Sequence, residues 1–288
     1  MHPYININLA GHELALRSYT VFMLAAAAAA VSLGCLFAAR RGLPRGKTLV
    51  WAVVTAAAML PGARIMYALT HMNIIRSQPE LLWAVSPAGF SLYGGLILAA
   101  IVGWAGCCIL KLPLWRMADT FVIGLAFGLA LLRVGCYLNG CCFGQVTELP
   151  WGVVFPPGSF AHNYQLAAGQ KGALLFGLPL VGPLPVHPTQ LYELAAALFG
   201  ALLAAYILRQ RKKDGCAFLT FVIWFTGFRF LNRFLRAAPL PSHKTGLFEP
   251  VLYLLIMVMG VFLLISIQSG RRADESSSVC DRHITPID

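Results

Sequence analysis

Leu132-Arg133-Val134-Gly135-Cys136-Tyr137-Leu138-Asn139-Gly140-Cys141-Cys142-Phe143-Gly144 closes a long apolar run, Thr120 to Leu132. The run reads as a membrane helix. At its end stand an arginine, then small residues, an asparagine and three glycines. A guanidinium at or near membrane depth costs from ~2.5 kcal/mol upward unless something anionic or polar meets it. Glycines let the backbone turn tightly or approach a ligand closely. The stretch therefore predicts a helical membrane protein in which Arg133 holds a lipid phosphate. Gly140 and Gly144 would shape the turn around it.

The rest of the chain has the same character. Its 288 residues are 58% hydrophobic and 11% charged, where a soluble domain carries about 25% charged residues. Apolar runs long enough to span a bilayer fall at roughly 18–39, 49–70, 90–110, 119–138, 188–208, 215–234 and 247–268. The expected fold is an all-α membrane protein of about seven transmembrane helices. In a soluble chain the formal charge of +11 would point to nucleic acid. Here the basic residues cluster in loops. Arg40, Arg41, Arg45 and Lys47 follow the first run, and Lys111 and Arg116 the third. Arg209, Arg211, Lys212 and Lys213 follow the fifth, and Arg271 and Arg272 the seventh.

If every run crosses, these sets share one side, which the positive-inside rule makes the cytoplasm. The N-terminus is then outside and the C-terminus inside. Residues 1–16 lack a basic n-region, so no cleavable signal peptide is expected. The chain divides into a polytopic domain over 1–272 and a flexible cytoplasmic tail over 273–288. Within the domain a Gly- and Pro-rich extracytoplasmic insert is expected at about 140–187, with short strands around Trp151–Phe155. The eight cysteines show no regular CxxC pairing, which argues against a disulfide framework or a zinc site.

Several cations do not follow the inside bias. Arg17, Arg64, Arg76, Arg133, Lys171, Arg229, Arg233, Arg236 and Lys244 map to the outer half or outer side. Any one of them reads equally well as a side chain snorkelling to the interface. As a set they favour a phosphate site, because the planar guanidinium fork binds phosphate oxygens in pairs. The spacing of Arg229, Arg233 and Arg236 predicts that all three share one helix face.

His187-Pro188-Thr189-Gln190-Leu191-Tyr192-Glu193 opens the fifth run. Pro188 suits a first helical turn. Glu193 falls inside the membrane, where it needs a partner, naturally an arginine from another helix. That pair is either structural or part of the chemistry. His187 is either a general base or an interface residue. Ser91-Leu92-Tyr93-Gly94-Gly95 begins the third run, and its paired glycines admit another helix or a ligand. Tyr19 and Tyr93 lie near outer helix ends, where aromatic residues also serve as a belt. An arginine near Cys141-Cys142 would raise their thiolate content, or they simply pack a tight turn.

Together these motifs resemble the prolipoprotein diacylglyceryl transferases. The resemblance rests on Arg133 to Gly140, His187 to Glu193, Gly62-Ala63-Arg64-Ile65-Met66-Tyr67, Ser91 to Leu96 and Gly227-Phe228-Arg229, in that family's order. It implies a bacterial inner-membrane enzyme that moves the diacylglyceryl group of phosphatidylglycerol to the lipobox cysteine of a prolipoprotein. It implies glycerol phosphate as the other product and no metal or organic cofactor. Arg133 and Arg229 would be phosphate-handling arginines. Tyr19, Tyr93, His187 and Glu193 are the other expected catalytic residues. Arg64, Asn139, Gly140, Gly144, Gly94, Gly95, Arg233 and Tyr192 are expected to bind substrate.

The chain departs from the family at four places. Tyr93 stands for a histidine, Cys136 for an asparagine, Cys141 for a glutamate, and Arg233 for an acidic residue. Tyrosine ionises near ~10 when unperturbed, so the base is a tuned Tyr93, His187, or a group serving altered chemistry. Such chemistry would use another thiol acceptor or a cysteine-linked acyl group. A non-catalytic lipid-binding protein is the remaining reading.

Overall fold

The apolar runs fold as helices because, in hydrocarbon, only intra-segment hydrogen bonding satisfies every backbone group. The computed structural model describes residues 4–9, 12–77, 80, 92–167, 182–210, 212–237 and 248–282. A hairpin of β1 (Tyr4–Leu9) and β2 (His12–Arg17) precedes α1 (Ser18–Arg40). Then come α2 (Arg45–Thr70), the short α3 (Met72–Ser77), α4 (Leu92–Leu110) and α5 (Leu114–Asn139). The short α6 (Phe160–Ala167) is followed by α7 (Thr189–Arg209), α8 (Cys216–Asn232) and α9 (Phe248–Arg282).

Seven helices are long and apolar enough to cross a membrane: Ser18–Arg40, Arg45–Thr70, Tyr93–Leu110, Leu114–Asn139, Thr189–Arg209, Cys216–Leu235 and Glu249–Ser269. They coincide with the seven apolar runs, and the chain is a multi-pass, predominantly helical membrane protein. Large apolar side chains such as Leu202, Val258 and Phe262 are exposed on these helices. Such surfaces suit lipid, which is as apolar as they are.

Two compact units are present, Ala30–Gly124 and Met1–Ala29 with Leu125–Asp288. In the first, α2 and α4 pack so closely that their backbones touch. A Cβ on Gly62 would stand 2.5 Å from the Gly94 carbonyl oxygen, and one on Gly95 would stand 2.9 Å from that of Met59. Trp51 Nε1 donates to the Gly103 carbonyl at 2.7 Å, tying the same two helices. One end of the unit is closed by Ala38, Leu43, Cys107, Leu112 and Met117. There Arg116 Nη2 donates to the Arg41 carbonyl at 3.0 Å.

In the second unit α8 packs between α7 and α9. Trp224 Nε1 on α8 donates to the Ala196 carbonyl on α7 at 2.9 Å. The insert has a small core of its own, Phe143, Phe155, Ala161 and Val186.

Four details differ from the sequence reading. The N-terminal hairpin was not expected; its strand Tyr-Ile-Asn-Ile-Asn-Leu alternates with period two, the signature of a pleated strand. In the insert, Trp151–Phe155 forms no continuous strand but one antiparallel bridge, Val153 to Val186, and α6 follows it. Helix α9 continues to Arg282, past Ala273, where a flexible tail was expected. No proline or glycine interrupts that stretch to stop the helix. Finally, α8 ends at Asn232 and tightens into a 3-10 turn over Arg233–Leu235. Arg229, Arg233 and Arg236 therefore do not form one helical stripe. Ser91, Lys171, Arg211 and Lys244 lie outside the described residues.

Candidate functional site

Helix α5 carries Arg133 in its last two turns, α7 carries Glu193 in its second turn, and α8 carries Arg229 and Asn232 at its end. Four charged or polar side chains on three apolar helices have few partners but one another. Arg133 is 5% exposed and Glu193 2%. Arg133 Nη2 stands 2.7 Å from Glu193 Oε2. No N–H points squarely at that oxygen, which has no aligned hydrogen bond, so the contact is an ion pair rather than a directed bond. Glu193 Oε1 accepts from Asn232 Nδ2 at 3.1 Å and lies 4.0 Å from Arg229 Nε. The Arg229 guanidinium also lies over the Tyr253 ring, 5.8 Å from its centroid.

Two guanidiniums against one carboxylate leave a positive charge unmatched among these three groups. Beside them Arg133 Nε, Gln190 Oε1 and Asn232 Oδ1 are buried and have no protein hydrogen-bond partner. Buried polar atoms are ordinarily paired, by protein or by something bound. The cluster thus offers one net cation, one spare donor and two spare acceptors. An anion bearing hydroxyl groups answers all of these.

The turn after α5 is fastened to the start of α7. Gly140 takes a left-handed conformation, φ +72°, and Cys142 does so too at +61°. Thr189 Oγ1 donates to the Cys142 carbonyl and Gln190 Nε2 to the Cys141 carbonyl, both at 2.7 Å. Gly144 N donates to the His187 carbonyl at 2.9 Å. A Cβ on Gly144 would sit 2.7 Å from the carbonyl oxygens of both His187 and Leu235. Here glycine is required by space. Gly144 also borders a cavity of 240 Å³ in the insert, lined by Phe143, Tyr164 and Gln165 among others. None of the buried ions lines it.

That turn also gathers sulfur. The thiols of Cys136, Cys141 and Cys142 lie within 4.8 Å of one another, a group able to hold a metal ion. Arg133 Nη1 is 3.8 Å from the Cys136 sulfur. Hydrogen bonding with the Cys136 and Cys141 thiols holds Cys142 well below the ordinary thiol range; Arg236 and Arg133 add to this, against burial. Cys136 also lowers Cys141, but hydrogen bonding to Cys142 and burial outweigh it and push Cys141 up to about 11.

A search of protein families matches residues 6–267 to the prolipoprotein diacylglyceryl transferase family. A phosphatidylglycerol–prolipoprotein diacylglyceryl transferase of Proteus mirabilis is 31% identical over 216 residues, 71% of either chain. One of Geobacter sulfurreducens is 32% identical over 216 residues, 73% of this chain and 72% of its own. The chain belongs to the prolipoprotein diacylglyceryl transferase family. One of Clostridium tetani is 27% identical over 227 residues, 78% of this chain and 82% of its own.

Of the expected residues, the structure brings together Arg133, Glu193 and Arg229, while Asn139 ends α5 and Gly140 follows it in the left-handed turn packed on Phe155. Tyr19 is half-buried, within electrostatic reach of Arg133 and the three thiols. Arg233 instead faces Glu249, Nε to Oε2 3.8 Å, with both partly exposed. His187 Nδ1 is 3.3 Å from the Tyr192 hydroxyl, which accepts from Trp151 Nε1 at 2.8 Å. Indole can only donate, so the Tyr192 proton is free to point at His187. Arg64, Tyr93, Gly94 and Gly95 belong to the other compact unit. There both glycines are buried against α2, and Arg64 and Tyr93 are half-buried with interactions of their own.

The sequence reading missed Asn232 and the bonding roles of Thr189 and Gln190. It also missed the thiol cluster. The last had a signal, Cys-x4-Cys-Cys across a helix end and a glycine, which CxxC spacing does not capture.

Proposed function

We propose that this protein transfers the diacylglyceryl group of phosphatidylglycerol to the lipobox cysteine of a prolipoprotein, releasing glycerol phosphate. The observation that carries the reading is the buried Arg133–Glu193–Arg229 cluster with its unmatched positive charge. Its anionic ligand is the phosphate of the lipid. Arg229, the less buried of the two arginines, donates to the phosphate oxygens, and Arg133 Nε supplies a second donor. Gln190 Oε1 and Asn232 Oδ1 accept from the glycerol hydroxyls of the headgroup.

Transfer forms a carbon–sulfur bond and breaks a carbon–oxygen bond. The incoming thiolate attacks the glycerol carbon of the diacylglyceryl group, and the electron pair leaves with the phosphate oxygen. Charge then grows on the phosphate, where fixed guanidinium donors in a dry site lower the barrier most. Glu193 is a positioning residue that holds both arginines in one orientation. A tyrosine, Tyr19 or Tyr93, takes the proton of the incoming thiol, a role that needs a group within hydrogen-bond reach of the sulfur. The helices lie in the bacterial inner membrane with the N-terminus outside, which puts this end of α5, α7 and α8 on the outer face. Signal peptides with a lipobox cysteine arrive there alongside the membrane lipids.

The test is incubation of the purified protein with phosphatidylglycerol and a lipobox peptide. The expected product is a peptide heavier by one thioether-linked diacylglycerol, with one glycerol phosphate released per peptide. Binding of phosphatidylglycerol without any such product would overturn the reading.

A further inference from the structure

We propose that Cys136, Cys141 and Cys142 form a binding site for one soft d10 metal ion, Cu(I) or Zn(II). The three sulfurs lie within 4.8 Å of one another. Metal–thiolate bonds of about 2.3 Å place the sulfurs of a trigonal or tetrahedral set roughly 3.8–4.0 Å apart. Closing onto an ion therefore takes movements of under about 1 Å, within the reach of a side-chain rotation. Soft thiolate donors select Cu(I) and Zn(II) over the hard cations. Three sulfurs complete a trigonal Cu(I) site; Zn(II) would take a fourth ligand from solvent or an acceptor thiol.

The backbone is built to converge these thiols. Cys136 is buried in the last turn of α5, where its carbonyl accepts from Cys141 N at 3.1 Å. Gly140 and Cys142, both left-handed, flank Cys141 and fold the chain back on the helix end. A non-glycine residue held left-handed costs of order 1–3 kcal/mol, and such residues cluster where function over-determines them. The bonds from Thr189 and Gln190 to the Cys142 and Cys141 carbonyls hold that conformation from α7. Cys141 and Cys142 are half-buried residues, whereas Cys136 is buried.

The electrostatics suit an anionic thiolate set. Binding releases the thiol protons to solvent, and the remaining negative charge meets Arg133, whose Nη1 is 3.8 Å from the Cys136 sulfur, and the nearby Arg236. The ion would fix the turn that carries Asn139 to Gly144 and so set the position of Arg133. The test reads metal binding and not diacylglyceryl transfer, so the two readings fail separately.

The full-length protein in detergent, reduced and free of oxygen, is titrated with Cu(I) and with Zn(II) against chromophoric chelators. One equivalent of at least one ion should be withheld from the chelator. Cys136→Ser, Cys141→Ser and Cys142→Ser should each weaken binding by at least ~10-fold, while Cys108→Ser should leave it unchanged. In wild-type protein the bound ion should protect these three thiols from alkylation, read by peptide mass, and leave Cys108 open. This second readout decides the matter if a serine variant fails to fold. Failure to withhold either ion would overturn the proposal. So would binding that survives all three substitutions, or a disulfide among these cysteines in protein isolated without reductant.

Discussion

Arg133 Nη2 lies 2.7 Å from Glu193 Oε2, and neither side chain is more than 7% exposed. A pair this deep is kept less for its own attraction than because neither ion tolerates losing the other. Glu193→Gln removes the charge and keeps the shape, leaving the buried Arg133 and the half-buried Arg229 without a carboxylate. Stability should fall by about 3–5 kcal/mol, and added salt should not mask the loss, since buried pairs are little screened. Unfolding in micelles, followed at two ionic strengths, checks this. A change under ~1 kcal/mol would show that Arg133 already has another anion.

The need for that pair was legible in the sequence, because an arginine and a glutamate in apolar helices have few other partners. The seven spans were legible for a similar reason: hydrocarbon demands long uninterrupted apolar runs. Geometry at helix ends was not. Arg229, Arg233 and Arg236 keep helical spacing in the sequence, yet the chain tightens after Asn232 and sends Arg233 to Glu249. Asn232 looked like any polar residue at a helix end, and acquires meaning only by facing Glu193. The thiols converge through two left-handed residues, which no hydrophobic period encodes.

The two arginines should differ in how they fail. Arg229→Ala removes a phosphate donor and leaves the Arg133–Glu193 pair intact. It should insert normally and lose about 10²–10³ in turnover, the usual loss for one donor to a developing anion. Arg133→Lys should lose activity and stability together. A single ammonium cannot reach both Glu193 and the Cys136 sulfur as the planar fork does. Initial rates and protein recovered from membranes, measured for both variants, separate the two effects.

His187 is held in an aromatic chain, with its ring against the Tyr192 hydroxyl and Tyr192 against Trp151. That arrangement anchors the insert to the start of α7, a different task from accepting the thiol's proton. His187→Asn should therefore lower turnover by less than ~10-fold, against the 10²–10⁴-fold expected when a general base is removed. Tyr192→Phe, which unties both neighbours, should destabilise the insert by about 1 kcal/mol and raise proteolysis there. A hundredfold loss in His187→Asn with normal folding would make His187 the base.

Gly144 is where the turn after α5, the approach to α7 and the exit from α8 meet. Its N–H donates to the His187 carbonyl, and it bridges to Arg236. A methyl group there would press on the His187 and Leu235 carbonyl oxygens, both backbone atoms with no rotamer to escape into. Overpacking of this kind costs about 1–3 kcal/mol and moves the backbone. Gly144→Ala should push α7 and the end of α8 apart, and with them Glu193 and Arg229. Its signature is a raised KM for phosphatidylglycerol with a fall in kcat, because the groups that bind and those that stabilise the leaving phosphate are displaced together. Gly158→Ala is the contrast: that glycine has nothing within 4 Å of an added Cβ but a φ of +78°. It should cost stability through backbone strain and leave both kinetic constants near wild type. Steady-state kinetics of the two variants, beside their unfolding midpoints, distinguish crowding at the site from strain in an exposed turn.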